Sequence, residues 1–135
     1  MRIDRLRKEG GILCASENFF ITPGSFIWQI TRDGAIQFHL YCGSSIQSLP
    51  VNSAPCFTPR DFGTWVTLSA ELDARTKTIS LYRDDHMIQQ VQWNEPIPLV
   101  PGRLVIGNIT SPEKNSTGSI RSIYGAFAEF ALFDK

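Results

Sequence analysis

Apolar and polar residues alternate along most of this chain, and this spacing is typical of β-strands. Residues 25–31 carry apolar side chains at every second position, and residues 35–41 repeat the alternation. Asp33 and Gly34 lie between the two runs, and an Asp-Gly turn between alternating segments favours a tight β-hairpin. The sequence therefore predicts a hairpin over residues 25–41.

A second group of alternating segments predicts a three-stranded antiparallel meander. Its strands are predicted at residues 64–73, 76–83 and 86–93, with Asp84 and Asp85 as the second turn. Alternation predicts which side chains point inward. The predicted inward side chains are Val66, Leu68, Ala70, Leu72, Ile79 and Leu81, and in the third strand Met87, Val91 and Trp93 are predicted to share one side.

Prolines divide the rest of the chain. Residues 48–62 and 95–102 are proline-rich and are predicted to be loops or short edge strands, because proline donates no hydrogen bond to a sheet. Residues 103–109 form a predicted short strand. Residues 121–133 are apolar on both faces, as in a central strand, and Gly125 within them predicts a bulge or a close backbone contact. Short strands throughout predict an all-β fold, an antiparallel sandwich or barrel.

Composition and charge narrow the classes of function. The chain has 135 residues, with 13 Lys and Arg against 13 Asp and Glu, so its formal net charge is zero. This balance removes the electrostatic basis for binding nucleic acid or an anionic membrane. No apolar run approaches the roughly 20 residues of a membrane span, and the sequence shows no signal peptide. We expect neither nucleic-acid binding nor membrane insertion.

The order of the predicted strands carries a recognisable pattern. A strand begins with tryptophan and ends with aspartate, a strand ending in Leu-Tyr and an acidic turn follows, then an Ile-Gly strand, and last a strand with glycine ahead of an acidic residue. These features are carried by Trp65, Asp73, Leu81, Tyr82, Asp84, Asp85, Ile106, Gly107, Gly125 and Glu129. The pattern resembles the laminin-G-like jelly roll of the concanavalin A-like lectin/glucanase superfamily.

The resemblance implies an antiparallel β-sandwich over residues 10–135, with residues 1–9 as an N-terminal extension or linker. Domains of this family usually have one or two strands ahead of the segment similar to residues 10–15. We therefore expect either the C-terminal part of a longer, extracytoplasmic protein or a domain whose open sheet edge pairs with a second copy. Asp85 stands where the family usually has glycine, and aspartate tolerates the left-handed conformation better than most residues.

Glu71 and Asp73 are candidates for acid–base chemistry, because residues two apart on a strand share a face. Laminarinase-type glycosidases of the same superfamily carry a Glu-x-Asp-x-Glu strand. Here Arg75 stands at the third position, so this strand lacks the general acid. The sequence favours a non-enzymatic interpretation, with Asp73 opening a turn and Glu71 in solvent. A degenerate or partial glycoside hydrolase is the alternative.

Aromatic and polar side chains on the polar strand faces are candidates for ligand binding. Sugar C–H groups stack on aromatic rings, while sugar hydroxyls need paired donors and acceptors. The predicted ligand-binding residues are Trp65, Glu71, Asp73, Tyr82, Tyr41 and His39. A structural role for Trp65, packed under the proline-rich loop, is an equally strong interpretation.

Metal and redox chemistry find little support in the sequence. His39 and His86 have no further ligand at metal-binding spacing. Cys14, Cys42 and Cys56 show no paired spacing, so buried free thiols are expected, with one disulfide as the alternative in an exported protein. No cofactor is predicted, and calcium is implied by the resemblance only.

Together these observations predict a non-catalytic recognition module of a larger exported or cell-surface protein, with a glycan or a protein as its partner. Two alternatives to this recognition module stay open: the degenerate or partial hydrolase, and a structural or assembly domain that binds no small ligand.

Overall fold

The computed structural model describes residues 1–6, 9–15, 25–41, 48–94, 104–107, 124–131 and 133. Within these residues the chain forms ten β-strands, one short 3₁₀ helix at Pro59–Asp61 and no α-helix. The strands are β1 Arg2–Arg5, β2 Glu9–Ala15, β3 Phe26–Thr31, β4 Ala35–Tyr41, β5 Ser48–Pro55, β6 Leu68–Asp73, β7 Thr78–Arg83, β8 His86–Gln92, β9 Leu104–Ile106 and β10 Tyr124–Ala126. In this described part, no helix is long and apolar enough to cross a membrane.

The first layer is a five-stranded antiparallel sheet in the order β5-β4-β3-β2-β9. The predicted β3–β4 hairpin is confirmed, and Gly34 in its turn has a φ of +84°. A Cβ at Gly34 would also collide with the carbonyl oxygen of Phe57, so glycine is required there. The proline-rich stretch supplies β5, an eight-residue edge strand that contains Pro50 and Pro55.

The second layer contains the predicted meander, with strand order β6-β7-β8. The turn from β7 to β8 places Asp84 and Asp85 at φ values of 48° and 62°. Two successive left-handed residues match the right-handed twist of the flanking strands, as in a type I′ turn. Asp85 therefore adopts the left-handed conformation expected at a position where the family usually has glycine.

The N-terminal segment differs from the sequence prediction, which treats residues 1–9 as an extension. Arg2–Arg5 form β1, and Ile3 is buried in the core. The N–H groups of Gly63 and Val66 donate to the carbonyls of Ile3 and Met1, both at 2.8 Å, and join β1 to the layer of β6. The sequence hides this strand because its single buried position lies among charged residues.

The C-terminal segment also differs from the sequence prediction. A central strand is predicted over residues 121–133, but within the described residues only β10 is a strand, and it pairs with β1 alone. The prediction for Gly125 is confirmed, because a Cβ there would collide with the carbonyl oxygen of Arg2. After β10, Phe127 packs against the core, whereas Phe130 is 41% and Phe133 84% exposed. Residues 95–103 and 108–123 lie outside the described residues.

The two layers pack face to face around one hydrophobic core. The five-stranded sheet contributes side chains such as Ile36, Phe38 and Leu40, and β7 contributes Ile79 and Leu81. Burial of this apolar surface is the main stabilising term of the fold. The arrangement is an antiparallel β-sandwich, which confirms the predicted fold class.

The predicted alternation fails at one position of β8, Met87. Tyr82 pairs with Met87, whereas the preceding residue Leu81 pairs with Gln89, so Ile88 is an extra residue in β8. This bulge reverses the alternation, places Ile88 against the core and leaves Met87 56% exposed. The prediction that Met87 shares a side with Val91 and Trp93 is therefore wrong.

Candidate functional site

The meander presents a polar surface to solvent, which we call the β6–β8 outer face. The inward side chains of β6 and β7, such as Ala70 and Ile79, pack in the core, so their neighbours in each strand point outward. Strand pairing places the outward residues of all three strands side by side. The β6–β8 outer face consists of Ser69, Glu71, Asp73, Thr78, Ser80, Tyr82, Met87, Gln90 and Gln92.

An aromatic ring and a carboxylate are joined at the centre of this face. Tyr82 Oη donates a hydrogen bond to Glu71 Oε2 at 3.2 Å, between β7 and β6. Gln90 Nε2 donates to Ser80 Oγ at 2.9 Å on the adjacent strand pair. Both bonds run across strands, so the sheet sets the spacing of donors, acceptors and ring.

Asp73 has a local structural role at the end of this face. Its carboxylate accepts hydrogen bonds from the backbone N–H groups of Arg75 at 2.8 Å and Thr76 at 3.2 Å. The hydrogen bonds from Thr76, followed by that from Arg75, lower the pKa of Asp73. The carboxylate is therefore ionised at neutral pH and holds the β6–β7 turn, as the non-enzymatic interpretation predicts.

Trp65 lies ahead of β6, at the side of the face nearest β1. Its side chain is 50% exposed, and the guanidinium of Arg2 lies 5.6 Å from the ring centroid. Arg2 Nε also pairs with Asp4 Oδ1 at 2.9 Å. The ring is thus held from one side by a cation and open to solvent on part of its surface.

Tyr41 and His39 do not join the other four predicted residues. Both lie on β4, in the five-stranded sheet, and alternate with the core residues Phe38 and Leu40. They therefore point away from the core on the opposite side of the sandwich, where Tyr41 is only 8% exposed. Alternation identifies a polar face within a strand, but it does not say which sheet contains the strand, so six residues predicted together occupy two surfaces.

The structure adds residues that the sequence prediction missed. Met87 and Gln90 flank Tyr82 and Ser80 on the β6–β8 outer face. The run Gln89-Gln90 in an otherwise alternating strand is a weak signal of a polar face, but the bulge at Ile88 decides which of the two glutamines points outward.

The carboxylate of Asp61, in the loop after β5, is held by hydrogen bonds within the protein. Within the described residues, no cluster of three or more His, Cys, Asp or Glu side chains could hold a metal ion. Asp61 Oδ1 accepts from Arg83 Nη2 at 2.6 Å, and its other oxygen accepts from the Thr58 N–H and hydroxyl. The hydrogen bond from Arg83, with those from Thr58, lowers the pKa of Asp61 to about 2. Calcium binding stays an expectation from the resemblance.

Cys56 is a free thiol at the start of the same loop. Burial raises its pKa above the ordinary thiol value, so it is protonated at neutral pH. The side chains of Cys14 and Cys42 lie outside the described part of the structure, so the disulfide alternative stays a prediction.

No family model and no curated protein matches this sequence. Solved structures share its fold. CBM40, the carbohydrate-binding module of the Ruminococcus gnavus IT-sialidase, superimposes with a TM-score of 0.66 at 13% identity over 92% of this chain. Its complex with α2,3-sialyllactose gives a TM-score of 0.65 at 12% identity, also over 92% of this chain. Domains LG4-5 of the mouse laminin α1 chain give 0.64 at 22% identity over 90%.

The present chain spans 66% of the length of the CBM40 chain and 30% of the laminin chain. At these identities the likeness establishes architecture, because side chains that bind ligands vary on a shared fold. The predicted resemblance to laminin-G-like domains holds at this level. The chain has the antiparallel jelly-roll β-sandwich found in lectin-like domains.

Proposed function

We propose that this chain is a non-catalytic carbohydrate-binding module and that the β6–β8 outer face binds the sugar. The hydrogen-bonded pair of Tyr82 and Glu71 on an exposed sheet face carries the proposal. Its fold neighbours include a module solved in complex with sialyllactose, which supports the same class of ligand. As part of the same proposal, the chain belongs to a larger exported or cell-surface protein.

The chemistry of the face suits a pyranose ring. The Tyr82 ring, half-buried beside exposed Met87, offers an apolar patch for sugar C–H groups. Glu71 supplies an acceptor for sugar hydroxyls, and Gln90 and Ser69 supply both donors and acceptors. Because strand pairing fixes these groups, little conformational entropy is lost on binding.

The charge of the face favours a neutral sugar. It carries the carboxylates of Glu71 and Asp73, and none of its nine residues, all within the described part of the chain, is Lys or Arg. A sialic acid carboxylate would meet like charge there. We therefore expect lactose to bind better than α2,3-sialyllactose, in contrast to the ligand of the CBM40 complex.

The test begins with a glycan array of the whole chain. Isothermal titration then measures the affinity for the sugars that bind, with lactose, cellobiose, laminaribiose and α2,3-sialyllactose as the reference set. We expect saturable binding of a neutral sugar, and a loss of at least about tenfold in affinity in Tyr82→Ala and Glu71→Gln, as for removal of a charge-assisted hydrogen bond. Asn52→Ala, an exposed polar change on β5, is the matched control and should leave affinity unchanged.

Binding that is unaffected by both variants would remove the β6–β8 outer face from the proposal. An array without any hit would contradict carbohydrate binding and favour a protein partner or a structural domain. Release of reducing sugar from a β-glucan, abolished by Glu71→Gln, would instead support the degenerate glycoside hydrolase.

A further inference from the structure

A groove of about 550 Å³ lies between β6 and the segment 127–131. Its floor is apolar and includes Ile12 and Trp28 of the five-stranded sheet, and Leu68 and Phe127 form its sides. Trp28 is buried, and its Nε1 has no hydrogen-bond acceptor among the described residues. The groove therefore reaches from the surface into the space between the two layers.

The wall formed by β6 is an open strand edge. Val66 exchanges backbone hydrogen bonds with Met1, and Thr67 accepts one from Asp84 on the opposite side, at 2.9 Å. Because successive residues of a strand direct their backbone groups to alternate sides, the N–H and C=O of Leu68 point into the groove. In the described part of the chain, β6 pairs only with β7.

β1 already occupies the line along which this groove runs. It pairs with β10 on one side and with residues 63–66 on the other. The register of β1 with β10 and that of β1 with residues 63–66 can both be extended beyond Met1. The extended line runs between Thr67–Ser69 on one wall and residues 128–130 on the other. Strands in a sheet lie about 4.8 Å apart, so two walls that both contact β1 leave room for one extended chain between them.

The sides of the groove also specify the side chains that would fit. Residues of an inserted strand opposite Leu68 would point to the apolar floor, and those opposite Thr67 and Ser69 would point to solvent. The same two registers place Glu129 opposite the residue that faces Leu68. The Asp84 carboxylate, at the edge of the groove, already accepts a hydrogen bond from the Thr67 N–H at 2.8 Å. Hydroxyl side chains therefore suit the solvent-facing positions beside Thr67 and Ser69.

We propose that this groove binds an extended segment of a partner protein, which adds a strand between β6 and residues 127–131. The segment has bulky apolar residues at alternate positions, with Thr or Ser between them. Backbone hydrogen bonds to Leu68 supply the pairing, and the floor at Ile12 and Trp28 selects the apolar side chains. Of the described residues, the groove shares Ser69 alone with the β6–β8 outer face, and neither Leu68 nor the floor belongs to that face, so either proposal can fail alone.

The test uses three synthetic peptides, acetyl-Lys-Thr-X-Thr-X-Thr-Lys-amide with Val, Leu or Phe at X, titrated into the whole chain. Amide hydrogen exchange is read by NMR. We expect at least one peptide to slow exchange of the Leu68 amide more than tenfold at saturation, while Ser69, which already pairs with Tyr82, changes little.

Peptides N-methylated at alternate residues cannot complete the ladder and should lose at least tenfold in affinity. Leu68→Trp should abolish binding by filling the groove, whereas the matched Leu68→Met should keep it. The proposal is overturned if no peptide protects the Leu68 amide or if N-methylation has no effect. Protection that rises with protein concentration without peptide would assign the groove to a second copy and would also overturn it.

Discussion

The two outer faces of this sandwich are built from the same alternating pattern but differ in burial. On the five-stranded sheet, the outward side chains of Ile27 and Gln29 are only 3% and 5% exposed. On the β6–β8 outer face, Glu71, Gln90 and Met87 are exposed, and Ser80 is the one buried residue of the nine, at 3% exposed. Polarity along a strand therefore does not identify an exposed surface, because a polar side chain can be buried on one face of the sandwich and exposed on the other.

Substitutions that remove apolar contacts should have the largest and most unequal effects. We expect Ile27→Ala to lower the free energy of unfolding by about 2–4 kcal/mol, since it leaves a cavity under a buried side chain. Met87→Ala on the β6–β8 outer face should change it by less than about 0.5 kcal/mol. Urea unfolding followed by circular dichroism measures both. Equal losses would show that the two faces do not differ in burial.

The hydrogen bond between two glutamines offers a smaller contrast. Gln29 Nε2 donates to Gln37 Oε1 at 2.7 Å, and Gln29 is buried. Gln37→Ala should cost about 1–3 kcal/mol because it leaves a buried donor without its acceptor. Gln90→Ala removes an exposed partner of Ser80 and should cost about 0.5 kcal/mol. Thermal unfolding of the two variants compares them, and a larger loss for Gln90→Ala would contradict the comparison.

Acid should weaken the ion pair between Arg83 of β7 and Asp61 of the loop after β5. The folded-state pKa of Asp61, about 2, lies below its ordinary value of 3.8 because Arg83 and Thr58 donate to the carboxylate. The contribution is therefore present above pH 4 and is lost as the pH falls from 4 to 2. It amounts to about 1 kcal/mol after solvent screening.

Asp61→Asn should remove most of this pH dependence between pH 2 and 4, as measured by urea unfolding across that range. An identical slope in the variant would show that other carboxylates carry the acid sensitivity.

The turns of the two hairpins give the smallest contrast. The β3–β4 turn cannot accept a Cβ at Gly34, whereas the β7–β8 turn carries Asp85 at a φ of 62°. Asp85→Gly should raise the free energy of unfolding by about 0.5 kcal/mol, since glycine adopts this conformation without strain. Chemical unfolding of Asp85→Gly checks the sign, and a destabilised variant would show that the Asp85 side chain makes a contact that outweighs the strain.

Several features of the fold could be predicted from the sequence because they depend on local chemistry. The two hairpins and the close contact at Gly125 follow from alternation and from the conformational range of single residues. The left-handed position at Asp85 follows from the family resemblance, in which glycine usually stands there. The bulge at Ile88 could not be predicted, because an extra residue in one strand is defined only by its partner strand. For the same reason β1 could not be predicted, because it becomes a strand only through the pairing of Ile3 with β10 and with residue 63.

The candidate site shows the same division. Glu71, Asp73 and Tyr82 could be placed on one face, because the β6–β7 turn fixes their register. Tyr41 and His39 could not be separated from them, because sheet membership depends on contacts between residues far apart in the chain.

The sequence by itself determined that this protein is all-β and antiparallel, where its tight turns lie and which side chains of each strand are polar, and the family resemblance favoured a sandwich over a barrel. Only the tertiary structure decided that β1 joins the second layer, that one polar face is buried while the other is exposed, and that a strand-wide groove lies beside β6. The reason is physical: alternation is a property of one strand, whereas burial and pairing depend on which strands lie next to each other.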